Sequence, residues 1–455
     1  MKRNIITLAI TTLMLSSCGI YTKYQPATTV PEDLFGAAET VSDTIHNIAK
    51  LNWRQLFVDP HLQSLIEQGL RNNTDLQSAH WRVEEARASL SSARLAYLPS
   101  FAFSPQGTVS SFDKGKAGQS YSLPVTASWE LDVFGRMRNS KKQAKALYAQ
   151  SEDYRQAVRT QLIAGIANTY YTLLMLDEQL IISRQTEEAW KETVASTRSL
   201  MNAGLANESA VSQMEATYYQ VQGSVLDLQQ QINQVENSLA LLLAETPRNY
   251  ERGTLADQQF PTDFAVGIPV RMLAARPDVR SAERTLEAAF YGTNAARSAF
   301  YPSITLSGSA GWTNSIGSMI LNPGKFLASA VGSLTQPLFN KGQVVAQYRI
   351  ARAQQEEAAL GFQQTLLNAG SEVNDALTAY QTSQGKRLLL DKQVTSLQTA
   401  LRSTSLLMEH TNTTYLEVLT ARQSLLSAQL SQTANHFTEI QSLINLYRAL
   451  GGGQE

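Results

Sequence analysis

The chain has 455 residues, 43% of them apolar, and a formal net charge of -1. That much apolar material can bury a large core or several domains, which excludes a disordered chain and a small scaffold. Near-neutral charge gives no electrostatic reason to expect nucleic acid, and charged residues at only 17%, with abundant Ala, Ser, Thr, Gln and Leu, suit long helices packed side by side.

Lys2 and Arg3 precede the apolar run Ile5 to Leu15, and Leu15, Ser16, Ser17 and Cys18 complete the charged, apolar, small-residue order read by secretion machinery. LSSC resembles the bacterial lipobox, in which the cysteine becomes the lipidated first residue of the mature protein. Cys18 is therefore expected to carry covalent lipid, and no other cofactor is expected. An ordinary signal peptide with an incidental cysteine would have the same pattern. Cys18 is the only cysteine of the chain, which leaves no intrachain disulfide and no cysteine-based metal site. Gly19, rather than Asp, follows it, and by resemblance to such lipoproteins this implies the outer membrane. Beyond the N-terminus no apolar run reaches about 18 residues, so no membrane-spanning helix is expected.

The rest of the chain reads as two copies of one unit of about 200 residues. A shift of 203 aligns residues 75–100 with 278–303 without a gap, pairing Asp75 with Asp278, Glu84 with Glu287, Arg94 with Arg297 and Pro99 with Pro302. Ten of the 26 pairs are identical, against about two expected from background usage. VFGRMR (133–138) then falls opposite LFNKGQ (338–343), and Val211 opposite Val418.

In each copy a helical pattern stops at a proline, Pro99 or Pro302, which lacks the N–H a continuing helix needs and pushes the preceding residue toward extended geometry. After Pro99, Phe101, Phe103 and Val109 alternate with Ser104, Gln106, Thr108 and Ser110. Residues 121–133 alternate more cleanly, Tyr121, Leu123, Val125, Ala127, Trp129, Leu131 and Val133 on one face and Ser122, Thr126, Ser128, Glu130 and Asp132 on the other. Ile304, Leu306, Ala310 and Trp312 oppose Thr305, Ser307 and Ser309, whereas the last expected strand, about 326–337, alternates poorly. Four strands of about ten residues are long enough to cross a bilayer when tilted, but they cannot close a barrel alone, so they need strands from other copies. A soluble sandwich with one wet face would also alternate in this way.

Between the strand pairs the pattern is helical. No proline occurs from Val125 to Thr246, and residues 138–202 would span about 95 Å as one helix. NAGLANES (202–209) breaks that pattern as a hairpin tip, and a returning helix, with Leu228, Ile232, Val235, Leu239 and Leu242 as a seam, runs to about Ala244. The second copy repeats this from about Gly342 to His410, with a tip at 410–414 and a return to about Leu450.

Five stretches, WRQLFVDPHLQSLIEQGLRNNTDL (53–76), WELDVFGR (129–136), ARPDVRSAERTLEAA (275–289), QPLFNKGQ (336–343) and LYRALGGG (446–453), resemble the TolC and OprM family of outer-membrane efflux channels, in its lipoprotein branch. The resemblance implies a mixed α/β membrane protein: a homotrimer whose twelve strands form one outer-membrane β-barrel that continues into a long periplasmic α-helical barrel, with a small equatorial region. It divides the chain into a signal peptide (1–17), a lipidated N-terminal segment (18–60), a first repeat (61–256) and a second repeat (257–455). The implied function is passive conduction of drugs or metabolites to the exterior, from an inner-membrane transporter of the RND type through a periplasmic adaptor. The exit duct of a type I protein-secretion system and a structural envelope lipoprotein are the alternatives, and the strands argue against the latter.

No enzymatic constellation is visible. His46, His61, His80, His410 and His436 form no i, i+4 pair or HExxH pattern, and no phosphate-binding glycine loop or GxSxG turn is found. The family keeps acidic rings at the periplasmic mouth, and TYLEVLTARQ (414–423) places Glu417 at the outer acidic position, with Thr420 and Ala210 where further acids would stand. A gate would rest on Glu417, with Glu208 as a substitute, although a surface acid needs no special role. Adaptor docking falls by resemblance on Ala203, Gly204 and Leu205, with Thr411 in place of a glycine in the second tip. Gly204 would also serve simply to end a helix.

Overall fold

The computed structural model describes residues 21–25, 51–111, 113, 115–204, 206–260, 276–314, 325–410 and 415–453. In chain order the elements are helices α1 (Trp53–Leu56), α2 (Pro60–Asn72) and α3 (Thr74–Leu95), strands β1 (Ser100–Phe103), β2 (Gln106–Ser110) and β3 (Gly118–Leu131), and helices α4 (Arg136–Asn202) and α5 (Glu208–Leu243). Then come α6 (Pro277–Ser298), strands β4 (Ser303–Asn314) and β5 (Lys325–Thr335), and helices α7 (Gln343–His410) and α8 (Tyr415–Ala449). Pro99 and Pro302 each stand immediately before a strand, and the helices before them end at Leu95 and Ser298, four residues short of each proline. One part of the sequence alignment is corrected. Gly135 (φ 73°) and Gly342 (φ 75°) each precede a long helix by one residue, so the matching shift at this point is two residues longer than the alignment of VFGRMR with LFNKGQ implied.

The strands form one antiparallel sheet in the order β1/β2, β3, β4, β5. The first expected strand is broken in two, and prolines on both sides of the ladder explain it. Ser104 N–H donates to the Pro124 carbonyl at 3.2 Å, but Pro124 has no N–H to return and Pro105 has none to give. The register survives the gap, Phe103 facing Val125 and Gln106 facing Ser122. Opposite Pro124 on the other side stands Gly311, where a Cβ would lie 2.2 Å from the Leu123 carbonyl oxygen; only a residue without a side chain permits this approach.

Pairing also resolves the strand that alternates poorly. Ile304 faces Leu334, Leu306 faces Gly332 and Trp312 faces Phe326, so the apolar set of β5 continues the apolar face of β3 and β4, while Leu327 and Val331 stand among Ser329 and Ser333 on the polar face. Phe101, Phe103, Trp129, Leu306, Trp312, Phe326 and Leu334 are all exposed. Among the described residues, β1 and β2 pair only with β3, and β5 only with β4, which leaves both outer edges open.

The described residues divide into two compact units, one holding 81–153 and 280–364 with the N-terminal residues up to 29, the other holding 30–80, 154–279 and 365–455. Each half of the sequence thus contributes its strands to the first unit and its helical tip to the second. The second unit has the main apolar core, where Ile163, Ile166, Tyr170, Leu173 and Leu174 of α4 are buried with Leu62, Leu65 and Ile66 of α2. A Cβ on Gly69 would lie 2.3 Å from Ile166 Cδ1, so α2 packs directly on α4. Polar ties complete this core: Tyr170 donates its hydroxyl to Asp59 at 2.6 Å, and Arg252 bridges Asp177 and Glu236. Among the described residues no helix is long and apolar enough to cross a membrane.

Candidate functional site

Two places carry the functional argument, the strand-to-helix junction in the first unit and the helical tips in the second. At the junction the chain leaves β3 at Leu131 and starts α4 at Arg136. Asp132 accepts hydrogen bonds from the N–H groups of Met137 and Arg138, both at 2.8 Å, satisfying two donors that a helix start leaves unpaired. Glu130 forms an ion pair with Arg136 across the turn. This assigns physical roles to residues in WELDVFGR: a ladder residue, a cap, and a glycine that takes positive φ. Leu131, Asp132, Arg136, Pro302 and Asn340 line a cavity of about 360 Å³ here.

The N-terminal segment is seated on this junction. Tyr21 donates its hydroxyl to the Phe134 carbonyl at 2.7 Å, and a Cβ on Gly135 would come within 3.3 Å of the Tyr21 ring. Gly135 therefore serves twice, for its backbone angle and for the space it leaves. Burial pushes the Tyr21 hydroxyl above its ordinary range, with Tyr301 adding to the effect, so it stays a donor at neutral pH. Tyr24 packs on Phe290 at 5.6 Å and on Tyr291 at 6.4 Å, and burial, aided by Glu283 and Glu287, raises it to about 12. Cys18 lies outside the described residues. Neither tyrosine was marked by the sequence reading, since a single aromatic after the lipobox has no periodicity to expose it.

At the first tip, Gly204 takes φ 76° and its N–H bonds to the Met201 carbonyl at 2.9 Å, while Ala203 N–H bonds to Ser199 at 3.1 Å. Both are exposed, and nothing lies within 4 Å of where a Gly204 Cβ would be. Gly204 thus ends a helix and leaves open space as well; Leu205 lies outside the described residues. Asn207 caps α5 by accepting from Ala210 N–H at 2.9 Å, and Glu208 is exposed in the first turn. Ala210 is only 1% exposed. An acid in its place would have to bury its charge.

Glu417 is exposed in the first turn of α8, and among the described residues it makes no ion pair. Two residues on, Leu419 joins a buried cluster with Trp190 of α4 and Met214 and Val221 of α5. This cluster fixes the direction in which Glu417 leaves the helix. Arg422 lies 5.7 Å from the Trp190 ring, burial lowers its pKa, and its Nε has no hydrogen-bond partner. Thr420 donates its hydroxyl to the Leu416 carbonyl at 2.8 Å. The residues 411–414 of the second tip, Thr411 included, lie outside the described residues. The sequence reading missed Arg422 and Trp190, which meet only through the packing of α8 on α4.

Comparison with known proteins adds a consistent result. The family described as "Outer membrane efflux protein" matches residues 65–245 and 268–452. The cation efflux system protein CusC of Escherichia coli O6:H1 is 29% identical over 445 residues, covering 97% of each chain. The toluene efflux pump outer membrane protein TtgC of Pseudomonas putida is 29% identical over 477 residues, covering 100% of this chain and 96% of its own. The open state of the MtrE outer membrane channel of Neisseria gonorrhoeae superposes with a TM-score of 0.86 at 28% identity, over 96% of this chain and 98% of that one. With both halves matched by one family and the fold shared nearly end to end, the chain belongs to the outer membrane efflux protein family and is the outer-membrane component of an efflux system.

Proposed function

We propose that three copies of this chain form a passive channel, four strand positions from each making a twelve-stranded barrel and the helices of both tips a periplasmic conduit. The observation that carries this reading is the sheet: it exposes an apolar face and leaves both edges open. Lipid cannot satisfy an open edge, so a chain of this family needs neighbours to close the wall. Trp129 stands at one end of the apolar face, and at the other stand Trp312 and Phe326, level with Leu123, and Tyr121 two residues beyond, about 20 to 27 Å away along the strand, close to the aromatic-bounded apolar band of outer-membrane barrels.

On the same reading residues 1–17 are a removed signal peptide, Cys18 carries the lipid, and the two repeats follow. The open first tip, with Ala203, Gly204 and Leu205, receives a periplasmic adaptor, and the inner-membrane transporter, of RND type, selects the substrate. Glu417 lines the periplasmic gate. The channel performs no catalysis. Planar-bilayer recording from purified protein, with mass measurement in mild detergent, tests this: three chains per particle and stable conductance are expected. A monomer stable in lipid, or a trimer that conducts nothing, would refute it, the second outcome favouring a structural lipoprotein.

A further inference from the structure

We infer that the first turns of α4 form a binding site for the phosphate headgroups of anionic phospholipids in the periplasmic leaflet of the membrane. The inference rests on the reading above that the sheet spans the bilayer. Arg138, Lys141, Lys142 and Lys145 recur at helical spacing i, i+3, i+4 and i+7, and all four are exposed. None of them forms an ion pair among the described residues. The nearby acids are already engaged: Glu130 with Arg136, Asp132 with the helix N–H groups, and Glu287 with Arg284.

Two independent contacts place this stripe on the lipid side of the wall. Trp129 belongs to the apolar face of the sheet and donates its indole N–H to the Tyr97 carbonyl at 2.9 Å, and Lys141 Nζ lies 5.4 Å from the Tyr97 ring centre. On the other flank Lys142 Nζ lies 5.2 Å from the ring centre of Tyr291, the residue on which Tyr24 packs. Tyr24 belongs to the segment that leads to Cys18, and a lipid-bearing segment must run outside the barrel. The aromatic rings hold both ammonium groups where the sheet ends.

Depth agrees with position. Lys141 and Lys142 stand five and six residues beyond Arg136, about 8 Å along the helix. The polar layer on each side of a bilayer is about 5–8 Å thick, and lysine side chains reach back toward it. A basic residue near an anionic surface contributes about 1 kcal/mol, or roughly fivefold in affinity. Two engaged lysines give a preference well above that of the zwitterionic lipid.

The test is quenching of tryptophan fluorescence in bilayers of brominated phosphatidylglycerol mixed with phosphatidylcholine, compared with brominated phosphatidylcholine, for the whole trimer and for K141Q/K142Q. The wild type is expected to favour phosphatidylglycerol at least about fivefold, with the preference shrinking as salt rises. In the double variant, with trimer mass unchanged, the ratio should fall close to one. Quenching by both lipids without selectivity, or selectivity retained in the variant, would overturn the headgroup site and leave the membrane reading standing. Absence of quenching by either lipid would overturn the membrane reading and the site with it.

Discussion

Gly311 shows how closely single positions are specified in the sheet. Its missing side chain admits the Leu123–Pro124 backbone, and a Cβ would lie 2.6 Å from Pro124 Cα. Neither strand can yield without breaking its ladder, so Gly311→Ala should cost on the order of 1–3 kcal/mol, measurable as a lower melting temperature of the assembled protein. An unchanged temperature would show that the strands separate freely there. At the strand-to-helix junction Tyr21 is tied to the Phe134 carbonyl. On the proposed barrel, Cys18→Ser should abolish labelling by radioactive fatty acid yet leave protein in the outer membrane, because the closed strands would also hold it there. Labelling that persists in the variant would exclude Cys18 as the attachment point.

Among the elements, the sheet predicts its own continuation. Within the chain Ser100 faces Ser128 and Ser303 faces Thr335, which relates β1 to β4 and β3 to β5. The contact between β3 and β4 should therefore recur between β5 of one copy and β1 and β2 of the next. Thr126 faces Ser309 and Leu131 faces Ile304; the residues in the matching places are Ser333 with Gln106 and Leu338 with Phe101. Leu338 is 96% exposed and Phe101 70%, as two halves of an apolar contact would be before closure. Cysteines introduced at Ser333 and Gln106 should form interchain disulfides that yield trimers in denaturing gels, whereas a partner at Gly107, on the opposite face, should not. Cross-linking through the Gly107 pair instead would show a register displaced by one residue.

For the whole molecule the decisive quantity is what passes through it. Three copies of Glu417 around one axis would concentrate cations and repel anions, more so in a narrow opening and less so in high salt. Glu417→Gln keeps the volume and removes the charge. Cation preference in bilayer recordings at low salt should fall, with little change at high salt and no loss of trimer. The same reversal potential in variant and wild type would mark Glu417 as a surface acid and leave the exposed Glu208 of the other tip as the charge to examine.

The long helices, the first tip, the two proline stops and the apolar faces of β3 and β4 were legible in the residue order, because each depends on spacing along the chain or on a residue that cannot continue a helix. Family membership was legible for the same reason, through stretches such as WELDVFGR that stay in order. Packing alone set the break at Ser104 and Pro105, the apolar face of β5, the seat of Tyr21 on Gly135, the burial of Ala210 and the meeting of Arg422 with Trp190. Each of these depends on what lies opposite a residue. A ladder partner or a facing helix can be more than a hundred positions away, and no local pattern records it.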